Sequence, residues 1–240
     1  MLEIMEGIEE YNNAGALFGL DGLEGEELLG ALMKMNPLKR QRMINRLTSN
    51  PSPSRGSRAE FEKFFTELPS HIQEGVRKGE LRLADTILYS IKKVASKTVK
   101  MFETQDTKAI GINSLSGAKL PKNQAFLVSG IIVLAGVPTD PTNVEKIMSA
   151  SYGKIEDFPA IATGEFNLKA NKKVIIPESS MELFKTSNFN QVPVGYYKLA
   201  NPRLIHDDVL IEATFEFGTT DGLDPKTHVY LGLHGTITTP

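Results

Sequence analysis

The chain has 240 residues, of which 40% are hydrophobic and 23% are charged, and its formal net charge is −2. A chain of this length can bury about 70 to 75% of its unfolded surface, which is enough for one β-sandwich with an extension. The absence of cysteine excludes disulfides, thiolate metal sites and a cysteine nucleophile, and no apolar run approaches the ~18 residues of a membrane span.

The charges near the N-terminus are segregated by sign. Every charged residue from Met1 to Glu27 is acidic, whereas every charged residue from Lys34 to Ala59 is basic. These blocks can pair within one chain, join neighbouring subunits, or place the basic stretch on nucleic acid or anionic lipid; the alternative is a solvated helix face followed by a flexible loop. Because acids stand where a signal peptide carries bases, we expect a soluble protein made in the cytosol.

Two helices are predicted in the first half of this N-terminal arm. In residues 26–35, acids precede the apolar residues and Lys34 follows them, and the apolar residues share one face. Asn36 then caps a second helix, which has Pro37 at its first position and runs to about Leu47. The basic segment of the second helix consists of Lys39, Arg40, Arg42 and Arg46.

The second half of the arm begins with a breaker cluster at 50–56, which predicts a hinge. A capping box at 57–60 opens a third helix that Pro69 ends, and a short helix follows from Ser70 to Lys78. The apolar faces of the first and third helices either pack on the rest of the chain or contact a neighbouring copy. The predicted assembly interface of the arm consists of these faces: Leu28, Leu29, Leu32, Met33, Phe61, Phe64, Phe65 and Leu68.

Beyond the arm, the hydrophobic period changes from helical to two. In the segment from Leu81 to Ile91, apolar residues alternate with polar ones, which is typical of a half-buried strand. A helix is the alternative interpretation of the same segment, with an apolar face of Leu83, Ile87, Ile91 and Val94.

Seven further strand-like segments follow, and no long helical pattern separates them. They lie at 98–103, 124–135, 164–169, 172–177, 194–199, 208–217 and 228–237, and the third and fourth are joined at Ala170-Asn171. About eight strands predict a two-sheet antiparallel β-sandwich, and the single jelly roll is the commonest form of this size. We therefore predict a mainly β protein with an α-helical arm at 1–79 and a jelly roll at 80–240.

The residue types of a catalytic centre do not gather anywhere in the sequence. His228 and His234 lie in one predicted strand, but strand geometry places them too far apart to share a metal. The acids at 207–208 and 221–224 are types that bind calcium, yet they are also ordinary turn residues, and we favour turns. Glycine-rich phosphate loops and the Gly-x-Ser-x-Gly elbow are absent. We expect no catalytic residue, no cofactor, no metal and no small-molecule substrate.

The order of motifs in the predicted sandwich supports a family resemblance. The motifs are Leu83 to Tyr89, Met101-Phe102, Ile110 to Leu115, Lys119 to Ile131, Leu199 to Asp208 and Leu231 to Gly235. Over residues 80–240 this order resembles that of jelly-roll capsid proteins from tailless icosahedral, lipid-containing bacteriophages. Many major capsid proteins of that family have two jelly rolls in tandem, whereas this chain has length for one.

The resemblance implies a structural virion protein without enzymatic activity. The expected role is a capsid subunit, either of the major shell or penton-like, that forms homo-oligomers through its jelly roll and N-terminal arm in an icosahedral assembly. Its expected partners are copies of itself and other virion proteins, with the genome or an inner membrane facing the basic segment. The expected location is the virion, after synthesis in the host cytoplasm.

Two other functions are compatible with a β-sandwich. A carbohydrate-binding or host-attachment module would place exposed aromatic rings against sugars, and Tyr152, Tyr196 and Tyr197 are the candidate rings. A cupin-like hydrolase or isomerase would need clustered histidine and glutamate ligands. We favour the capsid role because tryptophan is absent and the histidines are scattered.

Overall fold

The structure, a computed structural model, describes residues 61, 63–186 and 193–240. The chain divides into two compact units, Met1–Lys63 and Phe64–Pro240, so the second unit begins before the predicted boundary at residue 80. All the strands described below belong to the second unit.

Eight strands among the described residues form two antiparallel sheets of four strands each. Sheet 1 has the order β1-β8-β3-β6, and sheet 2 has the order β2-β7-β4-β5. The strands are β1 (Arg82–Lys93), β2 (Thr98–Lys100), β3 (Ala125–Gly136), β4 (Glu165–Ala170), β5 (Lys173–Ser180), β6 (Tyr196–His206), β7 (Ile211–Glu216) and β8 (His228–Thr239). The predicted mainly β, two-sheet antiparallel sandwich is confirmed.

The helices of the described residues are short. They are α1 (Ser70–Arg77), α2 (Val144–Met148) and α3 (Pro159–Ala162), with 3-10 turns at Phe65–Glu67, Ile155–Asp157 and Met181–Phe184. The short helix predicted from Ser70 is confirmed. Of the third helix, which was predicted to end at Pro69, residues 61 and 63 are α-helical, but its last part is a 3-10 turn at Phe65–Glu67, after which Leu68 is extended with ψ 145°. A proline disfavours the helical conformation in the residue before it, which explains the early end.

The alternating segment that begins near Leu81 is a strand, and the helix interpretation of it is wrong. β1 pairs with β8 without a register shift, from Arg82 opposite Thr239 to Lys93 opposite His228. Leu83, Ile87, Ile91 and Val94 would line one face of a helix, but twelve consecutive pairs with β8 fix the segment as a strand.

One hydrophobic core lies between the two sheets. Sheet 1 contributes Phe126, Ile131 and Leu231, and sheet 2 contributes Phe166 and Phe215, all buried. The rings of Phe166 and Phe215 lie 5.1 Å apart. Burial of each such side chain stabilises the fold by about 1.5 to 3 kcal/mol, so the core stabilises this cysteine-free chain without disulfides.

The hairpin between β4 and β5 turns one residue later than predicted. Asn171 and Lys172 both have positive φ, 50° and 62°. Two consecutive left-handed residues are typical of a type I′ turn, whose twist matches that of the flanking strands. Asparagine tolerates this conformation well, and lysine does so at a cost.

Candidate interaction surface

The two outer faces of the sandwich differ in charge. On sheet 2, the residues between the core positions of β2, β4 and β7 face outward, and charged side chains dominate there. They are Lys100, Glu165, Lys169, Glu212 and Glu216. This is the composition expected of a sheet whose second face is in water.

The outer face of sheet 1 is almost uncharged. The register places Tyr89, Gly232, Ile132 and Tyr196 side by side across the four strands, and we call these the central row. The adjacent outward positions on β1, β8 and β3 are Ile91, Tyr230 and Leu134 on one side and Ile87, His234 and Gly130 on the other. Together with the central row, they form the surface that we call the tyrosine face.

Charges on the β1 strand of this surface lie only at its two ends. Lys93 is four residues after Tyr89, and Asp85 is four residues before it, on the same side of the strand. The Asp85 carboxylate accepts a hydrogen bond from Thr236 Oγ1 at 3.4 Å. The centre of the tyrosine face is therefore uncharged, Lys93 and Asp85 lie at the two ends of β1, and Lys198 of β6 lies beside Gly130.

The tyrosine rings pack on each other and on glycines. Tyr89 and Tyr230 are stacked, with ring centroids 6.3 Å apart and planes at 14°, and Tyr152 lies 6.4 Å from Tyr230. A Cβ added at Gly136 would lie 2.6 Å from Ser151 O and 3.0 Å from Tyr152 Cδ1, so the glycine makes room for the Ser151 backbone and the Tyr152 ring. Burial raises the pKa of Tyr152 to about 12 and raises the pKa of Tyr230, which keeps both hydroxyls neutral.

Exposed aliphatic side chains stand beside the tyrosine face. A tight turn closed by hydrogen bonds from Ile112 N and Asn113 N to Ala109 O leaves Ile110 87% exposed. Gly111 N in this turn donates to the Tyr89 hydroxyl at 2.9 Å, which fixes the turn to sheet 1. Exposed large apolar residues at a fixed position are typical of a surface that contacts a partner.

Helix α2 extends this exposed cluster. Val144 and Met148, four residues apart on one face of the helix, are 52% and 42% exposed. Met148 Cγ lies 2.9 Å from the position of a Cβ at Gly111, so the helix packs on the turn that presents Ile110.

The opposite end of sheet 1 is joined to α1 by a buried carboxylate. Asp207, whose side chain is 6% exposed, accepts hydrogen bonds from Asn123 N at 2.7 Å and from His71 Nε2 at 3.1 Å. The turn interpretation of the acids at 207–208 is supported, because Asp208 has φ 60° between β6 and β7. Asp224 likewise accepts Lys226 N within its own loop.

A three-residue ion cluster fixes the loop after β2. Lys92 Nζ lies 2.6 Å from Asp106 Oδ1 and 3.1 Å from Glu103 Oε2. Burial alone would lower the pKa of Lys92, but the hydrogen bonds to the two carboxylates and their charges outweigh it and raise the pKa. Lys92 is therefore a charged structural link and not a nucleophile.

The histidines are scattered in the structure as in the sequence. His234 contacts the Tyr196 ring edge-on at 5.9 Å, and His228 Nδ1 donates to Lys226 O at 2.7 Å. Burial lowers the pKa of His228, which favours its neutral form. In residues 61, 63–186 and 193–240 there is no group of three or more His, Asp or Glu side chains placed to hold a metal ion.

Part of the predicted assembly interface can be located. Phe61 and Leu68 are buried, at 1% and 4% exposure, and Phe64 and Phe65 are half-buried. The remaining predicted interface residues and the basic segment lie outside the described residues: Leu28, Leu29, Leu32, Met33, Lys39, Arg40, Arg42 and Arg46. The assembly role of all these residues stays a prediction.

The tyrosines proposed as exposed rings are not exposed. Tyr152, Tyr196 and Tyr197 are all half-buried, and Tyr197 packs edge-on against Phe184 of the core at 6.2 Å. The sequence pattern missed Tyr89 and Tyr230. Their period-two placement was visible, but in β1 the outward side, with Leu83, Ile87 and Ile91, is more apolar than the inward side, so alternation alone did not tell the outer face from the core face.

Comparisons with known proteins leave the family open. No protein-family model and no curated protein matches the chain. The crystal structure of dimeric latent PorU from Porphyromonas gingivalis matches 65% of this chain and 12% of that chain, with 14% sequence identity and a TM-score of 0.18. The chain thus spans about an eighth of that structure, and a TM-score this low carries no argument. Within the described ranges, none of the helices has the length and apolarity to cross a membrane.

Proposed function

We propose that the sandwich is a single jelly roll and that the protein is a capsid subunit of the kind found in tailless icosahedral, lipid-containing bacteriophages. The strand orders β1-β8-β3-β6 and β2-β7-β4-β5 support the jelly roll, because two interleaved Greek keys distribute eight strands between two sheets in this way. The role is structural, in the major shell or a penton-like position, and it requires no catalytic residue.

The observation that carries the proposal is the exposed apolar cluster of Ile110, Val144 and Met148. Their side chains are 87%, 52% and 42% exposed. Exposed large apolar residues indicate a surface that other protein covers. A subunit that is buried by its neighbours explains this cluster.

The N-terminal arm has a part in the proposal. The apolar faces of the helices that the sequence predicts in the arm add contacts between copies, while the basic segment faces the genome or an inner membrane. Each exposed charge pair contributes only about 0.2 to 1 kcal/mol, so apolar burial supplies most of the association energy. The other partners are further virion proteins, and the protein is located in the virion after synthesis in the host cytoplasm.

Electron microscopy and light scattering of the concentrated full chain test the proposal. We expect closed shells, rings or discrete particles, and we expect a chain lacking residues 1–56 to assemble less completely. A full chain that stays monomeric at high concentration contradicts the proposed function. Unchanged assembly of the shortened chain removes the arm from the mechanism.

A carbohydrate-binding role finds less support in the contacts. Tyr89 Oη accepts Gly111 N, and Tyr152 Oη donates to Ile147 O at 3.1 Å, so these hydroxyls already have partners in the chain. Glycan-array binding that is lost in Tyr196→Ala would favour this role over the capsid role.

A further inference from the structure

The methionines of the described residues differ sharply in exposure. Met148, the last residue of α2, is 42% exposed, whereas Met101 and Met181 are fully buried. We infer that Met148 is a site of selective oxidation, at which a peroxide converts the thioether to the sulfoxide and loosens α2 from the turn at 109–113. The other five methionines of the chain lie outside the described residues, and the assignment does not depend on them.

The reaction requires only the side chain and hydrogen peroxide. A lone pair of Met148 Sδ attacks one oxygen of the peroxide, the O–O bond breaks, and an S–O bond forms. The sulfur loses two electrons, and the second oxygen gains them and leaves as water with both protons. Because no base or metal takes part, access of the peroxide to the sulfur decides which methionine reacts. α2 has five residues and Met148 is its last, and the end of so short a helix opens readily.

The sulfur of Met148 makes the contact that oxidation disturbs. Gly111 has φ 84°, and Met148 Sδ occupies the place that a Cβ of this glycine would take. The N–H of Gly111 donates to the Tyr89 hydroxyl at 2.9 Å, so the turn lies between the sulfur and sheet 1. Oxidation makes the thioether polar and larger. An oxygen directed at the turn has no room there, and an oxygen directed at solvent draws the sulfur away from the glycine.

The rest of α2 has anchors that do not involve the sulfur. Asn143 caps the start of the helix, and the Tyr152 hydroxyl donates to Ile147 O at 3.1 Å. The hydrophobic core between the two sheets does not include Met148. Oxidation therefore loosens the turn and the end of α2 and leaves the core intact. Reductases return methionine sulfoxide to the thioether, so the change is reversible.

Peptide mapping of the full chain by mass spectrometry during exposure to hydrogen peroxide tests the site. Met148 is expected to gain one oxygen at least about 10-fold faster than Met101 and Met181. The map follows every other methionine separately, so oxidation elsewhere does not obscure the comparison. Equal rates for Met148 and the two buried methionines would overturn the inference.

Amide hydrogen exchange tests the effect on the turn. Gly111 N donates to Tyr89, and Ile112 N and Asn113 N donate to Ala109 O, so these amides report on the turn. Exchange at 109–113 is expected to become about 10-fold faster after oxidation, while exchange in β8 stays unchanged. Unchanged exchange at 109–113 in fully oxidised protein would mean that the sulfur does not hold the turn.

Two variants of Met148 separate its oxidation from effects at other methionines. Met148→Leu keeps a similar volume without sulfur, and its exchange at 109–113 should not respond to peroxide. Met148→Gln has a similar length and a polar end, and it should show the faster exchange without peroxide. Equal acceleration by peroxide in Met148→Leu and the wild type would assign the effect to another residue and overturn the inference.

The outcomes for this site and for the proposed function are distinct, because the measurements need only the free subunit. Selective oxidation of Met148 in a chain that stays monomeric supports the site and contradicts the capsid role. Unselective oxidation in a chain that assembles overturns the site and leaves the capsid role standing. Selective oxidation of the free subunit together with protection of Met148 in assembled particles supports both.

Discussion

Replacement of Asp207 by alanine is expected to destabilise the sandwich by about 3 kcal/mol. The carboxylate is nearly fully buried and accepts the backbone N–H of Asn123 at 2.7 Å. Hydrogen bonds to charged groups contribute about 1.5 to 3 kcal/mol, and the variant leaves that N–H without its partner. His71 is 50% exposed, so its bond adds only about 0.5 to 1 kcal/mol after screening by solvent. For a unit of this size, the melting temperature should fall by about 6 to 12 °C.

Thermal and urea unfolding followed by circular dichroism measure this loss. Asp208→Asn is the matched control, because it removes a neighbouring exposed charge and asparagine tolerates the left-handed backbone at φ 60°. Its stability should stay within about 0.5 kcal/mol of wild type. His71→Ala should lower the free energy of unfolding by about 0.5 to 1 kcal/mol when it is introduced into the wild type. It should have no effect when it is introduced into Asp207→Ala, which already lacks the carboxylate. Equal stability of Asp207→Ala and Asp208→Asn would refute the role of the carboxylate.

Three further predictions concern stability. Burial lowers the pKa of His228, so the unfolded state binds more protons than the folded state. The free energy of unfolding should therefore decrease as pH falls below about 6.5. Between pH 7 and pH 5, the melting temperature of His228→Asn should fall by less than that of the wild type. Lys172→Gly should raise the free energy of unfolding by up to about 1 kcal/mol, because glycine adopts φ 62° without strain. Urea unfolding measures this change, and a lower stability of the variant would contradict the turn assignment. Lys92→Met should lower the free energy of unfolding by about 1 to 2 kcal/mol at pH 7, because two carboxylates lose their cation. Equal stability of the variant and the wild type at pH 7 would count against the ion cluster.

The sandwich was predictable because its strands satisfy simple patterns. β3 is central in sheet 1 and is buried on both sides. A strand in such a position is apolar on both faces, so its sequence is an apolar run without alternation. β1 was recognisable from its alternation. β6 was predicted only to Leu199. The strand continues through Pro202 to His206, because an edge strand tolerates proline.

The candidate surface was less predictable because it depends on neighbours that are distant in sequence. Tyr89 and Gly232 become adjacent only through the β1–β8 register, and no local pattern gives that register. The exposure of Ile110 follows from a tight turn whose anchor is the Tyr89 hydroxyl. Period and composition predict which residues lie in strands, whereas the outward face emerges only when the strands are paired.

The position of β8 in sheet 1 has a consequence for synthesis on the ribosome. β8 is the last of the eight strands along the chain, yet it lies between β1 and β3 and holds both. While residues 228–239 are still inside the exit tunnel, the emerged part of the chain has an open gap at the middle of sheet 1 and exposes the apolar β3. Completion of that sheet therefore waits until residues 228–239 have left the tunnel, and the nascent chain needs protection from aggregation until then.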